Sequence, residues 1–167
     1  MVIKARTFLI ALLLASAGLF AFFALPPSEE KRIKRELNAL AQALSKETGE
    51  SLFTLDQKLK KIGSLLEETC ELSIQAYSIS GTLAREEILG YVARSRLQVA
   101  ELQVSFYDIH MTFPQRNEAK VTLTARLTGK MAGGEAFSEA HEIDCLLKKS
   151  EKRWLFVRAE VVEVLKK

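Results

Sequence analysis

The feature that most constrains the fold is the alternation of apolar and polar residues in the second half of the chain. In AKVTLTARLT, residues 119 to 128, every second residue is apolar, and residues two apart lie on the same face of a β-strand. Similar segments occupy about residues 100 to 113, 118 to 130, 136 to 148 and 153 to 165, with turn signals between them. They predict an antiparallel meander with one apolar face and one wet face.

The chain before these segments has a helical period. Apolar residues spaced by four, three and four positions form the stripe of a first helix, namely Ile33, Leu37, Leu40 and Leu44. Ser28 is its predicted N-cap, and the helix is expected to end near residues 46 to 49. A second helix, capped by Thr54 or Asp56, is predicted to continue to about Thr69.

Between this helix and the next, the period becomes alternating. One strand is predicted from Cys70 to about Ile79, with Gly81 as the break that follows it. A third helix is then predicted over about residues 84 to 96. Its expected buried side chains are Ile88, Leu97 and either Tyr91 or Val92.

A run of 19 residues without a charge, Thr7 to Leu25, lies near the N-terminus. A helix of that length, at about 1.5 Å per residue, crosses a hydrocarbon core of about 30 Å. A cleaved signal peptide is the alternative, but Phe22 and Phe23 stand where its cleavage site would need small residues. We therefore expect an uncleaved signal anchor at residues 1–27, followed by one soluble domain at residues 28–167.

Basic residues flank both ends of this run, so the charge rule alone does not settle its orientation. Lys4 and Arg6 precede it, and four basic residues follow it between positions 31 and 35. The count favours a cytoplasmic domain, whereas the very short N-terminal tail and the bacterial look of the segment favour export. We expect a single-pass protein of the inner (cell) membrane with a periplasmic, extracytoplasmic domain.

Composition excludes several function classes. The formal net charge is +3 and basic residues are interspersed with Glu, so nucleic acid is not an expected partner. The chain has two His and two Cys, none at a zinc-ligand spacing, and no metal or cofactor is predicted. Cys70 and Cys145 could form a disulfide in an exported domain, or each could pack as a free, buried thiol.

The order of the predicted elements resembles that of NTF2-like domains, also called SnoaL-like or cystatin-like. Two helices, a strand and a helix precede a meander that ends in KKSEKRWLFVRAEVVEV, a hairpin with a polar turn, a Trp and apolar alternation. The resemblance covers about residues 30 to 165. It implies an α+β, NTF2-like cone in which a curved antiparallel sheet wraps about three helices around an apolar pocket. The expected anchor adds one N-terminal transmembrane helix to this domain.

The resemblance implies two classes of function. The favoured one is a membrane-anchored binding or assembly module without catalytic activity, whose partner is an apolar small molecule or a protein. The alternative is a small-pocket enzyme of the isomerase or cyclase type that acts on an apolar small molecule. The resemblance also implies a homodimer formed through the sheet face, with Phe156 or Leu146 among the contacts.

Candidate pocket residues are Tyr77, Tyr107 and His141, because enzymes that the chain resembles place acidic or His groups on the concave sheet face. His141 shares a strand face with Ile143 and not with Asp144. A single His among aliphatic side chains is most often structural, so no catalytic residue is predicted.

The strand LQVSFYDIHMTF does not reveal which of its faces is the inner one. Asp108 and His110 share the parity of Phe106, while Tyr107 has the parity of Met111. Residues of both parities are partly apolar. The sequence therefore does not show which of Tyr107, Asp108 and His110 lie on the inner face of the sheet.

Overall fold

The computed structural model describes residues 28–74 and 78–164, with the side chains at 163 and 164 left out. The helices are α1 (Glu29–Leu44), α2 (Leu52–Gly63) and α3 (Arg85–Leu97). The strands are β1 (Leu66–Ile74), β2 (Ile79–Ala84), β3 (Val99–Gln115), β4 (Glu118–Met131), β5 (Ala136–Ser150) and β6 (Arg153–Val164). The predicted α+β class, the third helix and the four-strand meander are confirmed.

The six strands form one sheet in the order β2-β1-β6-β5-β4-β3. Neighbouring strands are antiparallel except β1 and β6, which are parallel. The expectation of a wholly antiparallel sheet is therefore wrong at one junction. A parallel pair needs a long crossover connection, and here the segment from β2 to β5 separates the two strands along the chain.

The chain between α2 and α3 folds as a hairpin, and the prediction of a single strand there is wrong. β1 begins at Leu66, inside the predicted second helix, and pairs in register with β2, Ile74 opposite Ile79. Ser78 has a positive φ of 54°, as a tight reversal often requires. Pairing of β1 with strands on both sides outweighs the helical period of residues 64 to 69.

Helix α2 starts earlier and ends earlier than predicted. Its N-cap is Ser51, whose Oγ accepts a hydrogen bond of 3.1 Å from the backbone N of Thr54. This bond satisfies one of the free N–H groups of the first turn. The caps predicted at Thr54 and Asp56 are therefore wrong by three residues or more.

The two faces of the sheet differ as the alternation predicts. We call the face that packs on the helices the inner face; on β4 it carries Ala119, Val121, Leu123 and Ala125, all buried. The opposite, outer face carries the polar residues of the same strand. The core on the inner face also contains Ile33 and Leu37 of α1 and Trp154 of β6.

A β-bulge explains why the parity of β3 is ambiguous. Pairing of β3 with β4 shifts register between Tyr107 and His110, and Asp108 has a positive φ of 49°. The extra residue reverses the parity of the strand. Phe106 and Met111 consequently both pack on the core, although they are five residues apart.

Helix α3 buries an arginine where the sequence suggested a leucine. Arg96 is only 4% exposed, whereas Leu97 is 75% exposed, so the expectation for Leu97 is wrong. The Arg96 guanidinium donates to the backbone carbonyls of Leu44 and Ser45, at 2.7 and 3.1 Å. These carbonyls lie at the C-terminal end of α1, where no intrahelical donor is available. Arg96, although it belongs to α3, therefore caps α1.

The Arg96 guanidinium also binds an acidic partner. Its Nη2 lies 2.6 Å from Oε1 of Glu50, and both side chains are 4% exposed. Lys58 donates to the other oxygen of the same carboxylate and to the carbonyl of Ser45. The cluster of Arg96, Glu50 and Lys58 ties α1, α2 and α3 together through the loop at residues 45 to 51.

Stability should fall in acid because of Glu50. Burial by itself raises the pKa of Glu50, but hydrogen bonds from Lys58 and Arg96 and their charges outweigh burial and hold it below the ordinary value of 4.5. As the pH falls below 4.5, the unfolded chain binds the proton first, so the free energy of unfolding decreases until the folded carboxyl is protonated as well. Urea unfolding at a series of acid pH values measures this loss.

The control is Glu47→Gln in the same loop, since Glu47 is exposed. We expect Glu50→Gln to be less stable than the wild type at neutral pH and to lose less stability below pH 4.5. The Glu47→Gln variant should follow the wild type. Equal acid slopes for Glu50→Gln and the wild type would contradict this account.

The two cysteines are free thiols, so the disulfide left open by the sequence is absent. Cys70 lies on β1 and Cys145 on β5, and β6 lies between these strands. Two strand spacings amount to about 10 Å, beyond the reach of a disulfide. Burial raises the pKa of Cys70, and burial followed by the charge of Asp144 raises that of Cys145 to about 12.

The predicted anchor, Thr7 to Leu25, lies outside the described residues. Within residues 28–74 and 78–164, no helix combines the length and the apolar character needed to cross a bilayer.

Candidate ligand site at the open end of the inner sheet face

Burial decreases steadily along the inner face of β5. Leu147 is fully buried, Ile143 and His141 are half-buried, and Glu139 is exposed. The inner face is therefore closed near Leu147 and opens towards the start of β5. We call the inner face around Glu139, His141 and Ile143 the open end.

His141 is the central polar group of the open end. It pairs across the sheet with the buried Ala125 and is 17% exposed. Its Nε2 lies 3.0 Å from Oε2 of Glu139, two residues earlier on the same face, and Glu139 is 54% exposed. Nδ1 of the same ring is buried and has no hydrogen-bond partner among the described residues.

Apolar side chains surround this pair. Phe106 and His141 lie on either side of Ala125 in one row across β3, β4 and β5. Phe106, Leu127 and Ile143 are each partly buried and pack against the core. Because Ala125 is small, the two flanking rings have room to approach each other. The open end thus combines an apolar wall with one polar pair, the usual composition of a small-molecule site.

The contact with Glu139 orients the imidazole ring of His141. A carboxylate that accepts a hydrogen bond from one ring nitrogen fixes the ring and its tautomer. Because about half of the Glu139 side chain is exposed, the pair is in contact with solvent at the edge of the site. Such a pair can bind a polar group of a ligand or exchange a proton with it.

Of the residues predicted for the pocket, the structure describes Tyr107 and His141 and places them on opposite faces of the sheet. Tyr107 lies on the outer face opposite Thr124 and is exposed, with the guanidinium of Arg126 at 5.2 Å from the centre of its ring. Tyr77 lies outside the described residues. Of the two described residues, His141 lies on the inner face.

Glu139 was not among the predicted residues, although a signal for it exists. Residues two apart on a strand share a face, so a half-buried His141 predicts that Glu139 lies on the same side. Asp144, by contrast, lies on the outer face and accepts a hydrogen bond of 2.6 Å from Thr122. The parity argument that separated Asp144 from His141 therefore agrees with the structure.

A concave region lies on the outer face. This outer groove has a volume of about 440 Å³ and crosses strands β3 to β6. Two neighbouring rows of paired residues form its floor. The first row is Thr112, Lys120, Leu146 and Arg158, and the second row is His110, Thr122, Asp144 and Glu160.

The two rows of the outer groove carry opposite charge. Lys120 and Arg158 make the first row basic, while Asp144 and Glu160 make the second row acidic. Arg158 also forms an ion pair of 2.9 Å with Glu160 across the rows. Phe156, expected from the sequence to be a contact on this face, is buried in the core instead, because pairing of β5 with β6 shifts register between Leu146 and Leu147.

No protein-family model matches the chain, and no curated protein matches it. Solved structures do match. A protein provisionally assigned as a scytalone dehydratase, from Novosphingobium aromaticivorans, shares 16% identity over 83% of this chain and 85% of its own, with a TM-score of 0.65. The hexachlorocyclohexane dehydrochlorinase LinA-type3 from Novosphingobium barchaimii shares 10% identity over 83% and 88%, with a TM-score of 0.67.

A third solved structure is an uncharacterized protein with a cystatin-like fold from Caulobacter vibrioides. It shares 9% identity over 84% of this chain and 92% of its own, with a TM-score of 0.62. The TM-scores establish the fold, and identities this low leave the activity to be argued from the site. The described part of the chain therefore has the cystatin-like, or NTF2-like, α+β fold.

Proposed function

We propose that this domain binds an apolar small molecule at the open end of its inner face. The observation that carries the proposal is the half-buried His141, held by Glu139 and flanked by partly buried apolar side chains. A binding site of this kind needs an apolar wall for affinity and few polar groups for orientation. The open end supplies both.

We place binding ahead of catalysis because the proposed site is built on a single polar pair, His141 and Glu139. A proton-transfer enzyme of the isomerase or cyclase type needs further polar groups at the reacting atoms. The alternative retains support from this same pair, which can exchange protons, and from solved structures of similar fold named as a dehydrochlorinase and a dehydratase. An apolar molecule recovered unchanged after prolonged incubation supports the binding module.

Benzyl alcohol is a suitable probe, because it joins an apolar ring to one hydroxyl group. In a nuclear magnetic resonance titration of the full-length chain, we expect the largest shift changes at His141, Ile143 and Phe106. Leu127→Trp should fill the site and weaken binding, while Thr128→Trp, which places the same side chain on the outer face, should not. Shift changes confined to the outer face would contradict the proposal.

The domain is further proposed to be attached to the inner (cell) membrane by residues 7–25 and exported to the periplasmic side. The support is the uncharged run itself, which is long enough to span a bilayer. The full-length chain should stay in the membrane pellet after a carbonate wash, and protease added from the outer side should digest the domain. A shortened, soluble product would refute the anchor, and protection from protease would refute export.

Self-association through the outer groove is proposed as well. A two-fold axis between its two rows would place Lys120 and Arg158 of one copy opposite Asp144 and Glu160 of the other, and the reverse. Sedimentation of the full-length chain should show a dimer that Lys120→Glu with Arg158→Glu dissociates. Lys130→Glu, outside the groove, should leave the dimer intact. A monomer in the wild type at every concentration would exclude this mode.

A further inference from the structure

The floor of the outer groove carries two opposite charges that do not pair with each other. Lys120 lies in the first row and Asp144 in the second row, on the neighbouring strands β4 and β5. Diagonal neighbours of this kind are about 7 to 8 Å apart. Among the described residues Arg158 and Glu160 form an ion pair of 2.9 Å, whereas Lys120 and Asp144 form none with each other. Both charges are therefore open to groups from outside the chain.

The basic side of the groove is suited to a carboxylate. Lys120 is exposed, and no side chain in the described part of the molecule pairs with its ammonium group. Thr112 lies directly opposite Lys120 on β3 and places a hydroxyl group on the same face. An ammonium and a hydroxyl group both donate hydrogen bonds, which a carboxylate accepts.

The acidic side of the groove is suited to an ammonium group. Oδ1 of Asp144 accepts a hydrogen bond of 2.6 Å from Thr122, which orients the carboxylate and leaves its other oxygen available as an acceptor. Glu160 pairs with Asp144 across the sheet and adds a carboxylate to the same row.

An apolar side chain lies between the two charged positions. Leu146 is opposite Lys120 and two residues from Asp144 on the same face of β5, and it is half-buried. Its side chain provides a surface for a short chain of methylene groups. The groove volume of about 440 Å³ is within the range of small-molecule sites.

We propose that the outer groove binds a small zwitterion, with its carboxylate at Lys120 and Thr112 and its ammonium group at Asp144. This site is separate from the open end, which lies on the other face of the sheet. A second copy of the chain, as proposed above, would use the same charges. The ligand and the second copy should therefore compete for the groove.

The probe is γ-aminobutyrate, in which a short methylene chain separates a carboxylate from an ammonium group. Valerate and butylamine each replace one of its charged groups with a methyl group. Nuclear magnetic resonance titrations use the full-length chain in a non-ionic detergent, at low protein concentration and at low, constant ionic strength, because salt screens exposed charges. We expect γ-aminobutyrate to bind about three- to fivefold more tightly than either analogue, the effect of one exposed ion pair. The largest shift changes should occur at Lys120, Thr122 and Asp144.

Single substitutions remove one charge of the site at a time. In Lys120→Met, γ-aminobutyrate should bind no more tightly than butylamine. In Asp144→Asn, which keeps an acceptor for Thr122, it should bind no more tightly than valerate. The controls are Lys130→Met and Glu101→Gln, which change two exposed, paired positions outside the groove, and both should keep the full preference.

Exchanging the two charges separates their role from that of shape. In a chain with both Lys120→Asp and Asp144→Lys, the zwitterion can bind in the reverse direction, so its preference over valerate and butylamine should return. Thermal unfolding of each variant confirms that it is folded.

Equal wild-type affinities for the three probes, shift changes outside the groove, or no shift changes at all would overturn the zwitterion site. Binding in the groove by a chain that is monomeric at every concentration would support the site and refute the second copy. The open end is tested separately, because benzyl alcohol carries no charge.

Discussion

Replacing Arg96 with Met is expected to lower the free energy of unfolding by about 3 to 5 kcal/mol, the usual cost of removing one partner from a buried ion pair. The methionine keeps much of the apolar volume, so most of the loss should come from the charge and the hydrogen bonds. Glu50 would stay buried with Lys58 as its remaining partner, and the carbonyls of Leu44 and Ser45 would lose a donor. Urea or thermal unfolding measures the change.

The matched control for this substitution is Arg94→Met, one half-turn earlier on α3. Arg94 is exposed, with a hydrogen bond to the carbonyl of Gly90 and its guanidinium over the ring of Tyr91. Its loss should cost less than about 1 kcal/mol. Combining Arg96→Met with Glu50→Met should cost less than the sum of the two single changes, since each single change already removes the same Arg96–Glu50 contact. Additive costs would show that the pair is not coupled.

Trp154→Ala is expected to be the most destabilising change of an apolar residue, at about 3 to 5 kcal/mol. Trp154 is the largest of the fully buried side chains. Its ring meets Phe113 edge-on with 6.0 Å between ring centroids. Removal would leave a cavity at the closed end of the inner face, where the surrounding core residues are held by the sheet and cannot collapse into it.

A second aromatic residue, Tyr107, provides the control for Trp154. Tyr107 is exposed on the outer face, so Tyr107→Ala should cost less than about 1 kcal/mol, mainly its contact with Arg126. Trp154→Phe should fall between the two. If Trp154→Ala and Tyr107→Ala had similar unfolding free energies, the assignment of the closed end as the packed core would be wrong.

Much of the meander could be predicted from the sequence, because a two-residue period is a property of the strand backbone. The alternation in β4 and β5 identified which side chains share a face, and the buried row from Ala119 to Ala125 agrees with it. The same rule places Glu139 beside His141. Local geometry assigned His141 and Ile143 to one side without any knowledge of the fold, but Glu139 was not predicted.

Other features depended on contacts between distant parts of the chain. Residues 66 to 69 have a helical period, yet they pair as a strand because β2 and β6 lie on either side of β1. The bulge at Asp108 reverses the parity of β3. A strict two-residue alternation therefore cannot assign the residues on both sides of the bulge to the correct sheet face. Arg96 resembles a surface residue until the end of α1 is placed next to it.

The sequence by itself determined the α+β class, the approximate bounds of four strands and the shared face of His141 and Ile143, since each follows from a repeat of two or 3.6 residues. The tertiary structure decided the strand order, the placement of Tyr107 on the outer face and the burial of Arg96 against Glu50. It also decided where the inner face is closed and where it opens. These features depend on which surfaces meet across long stretches of chain, and a local period contains no information about that.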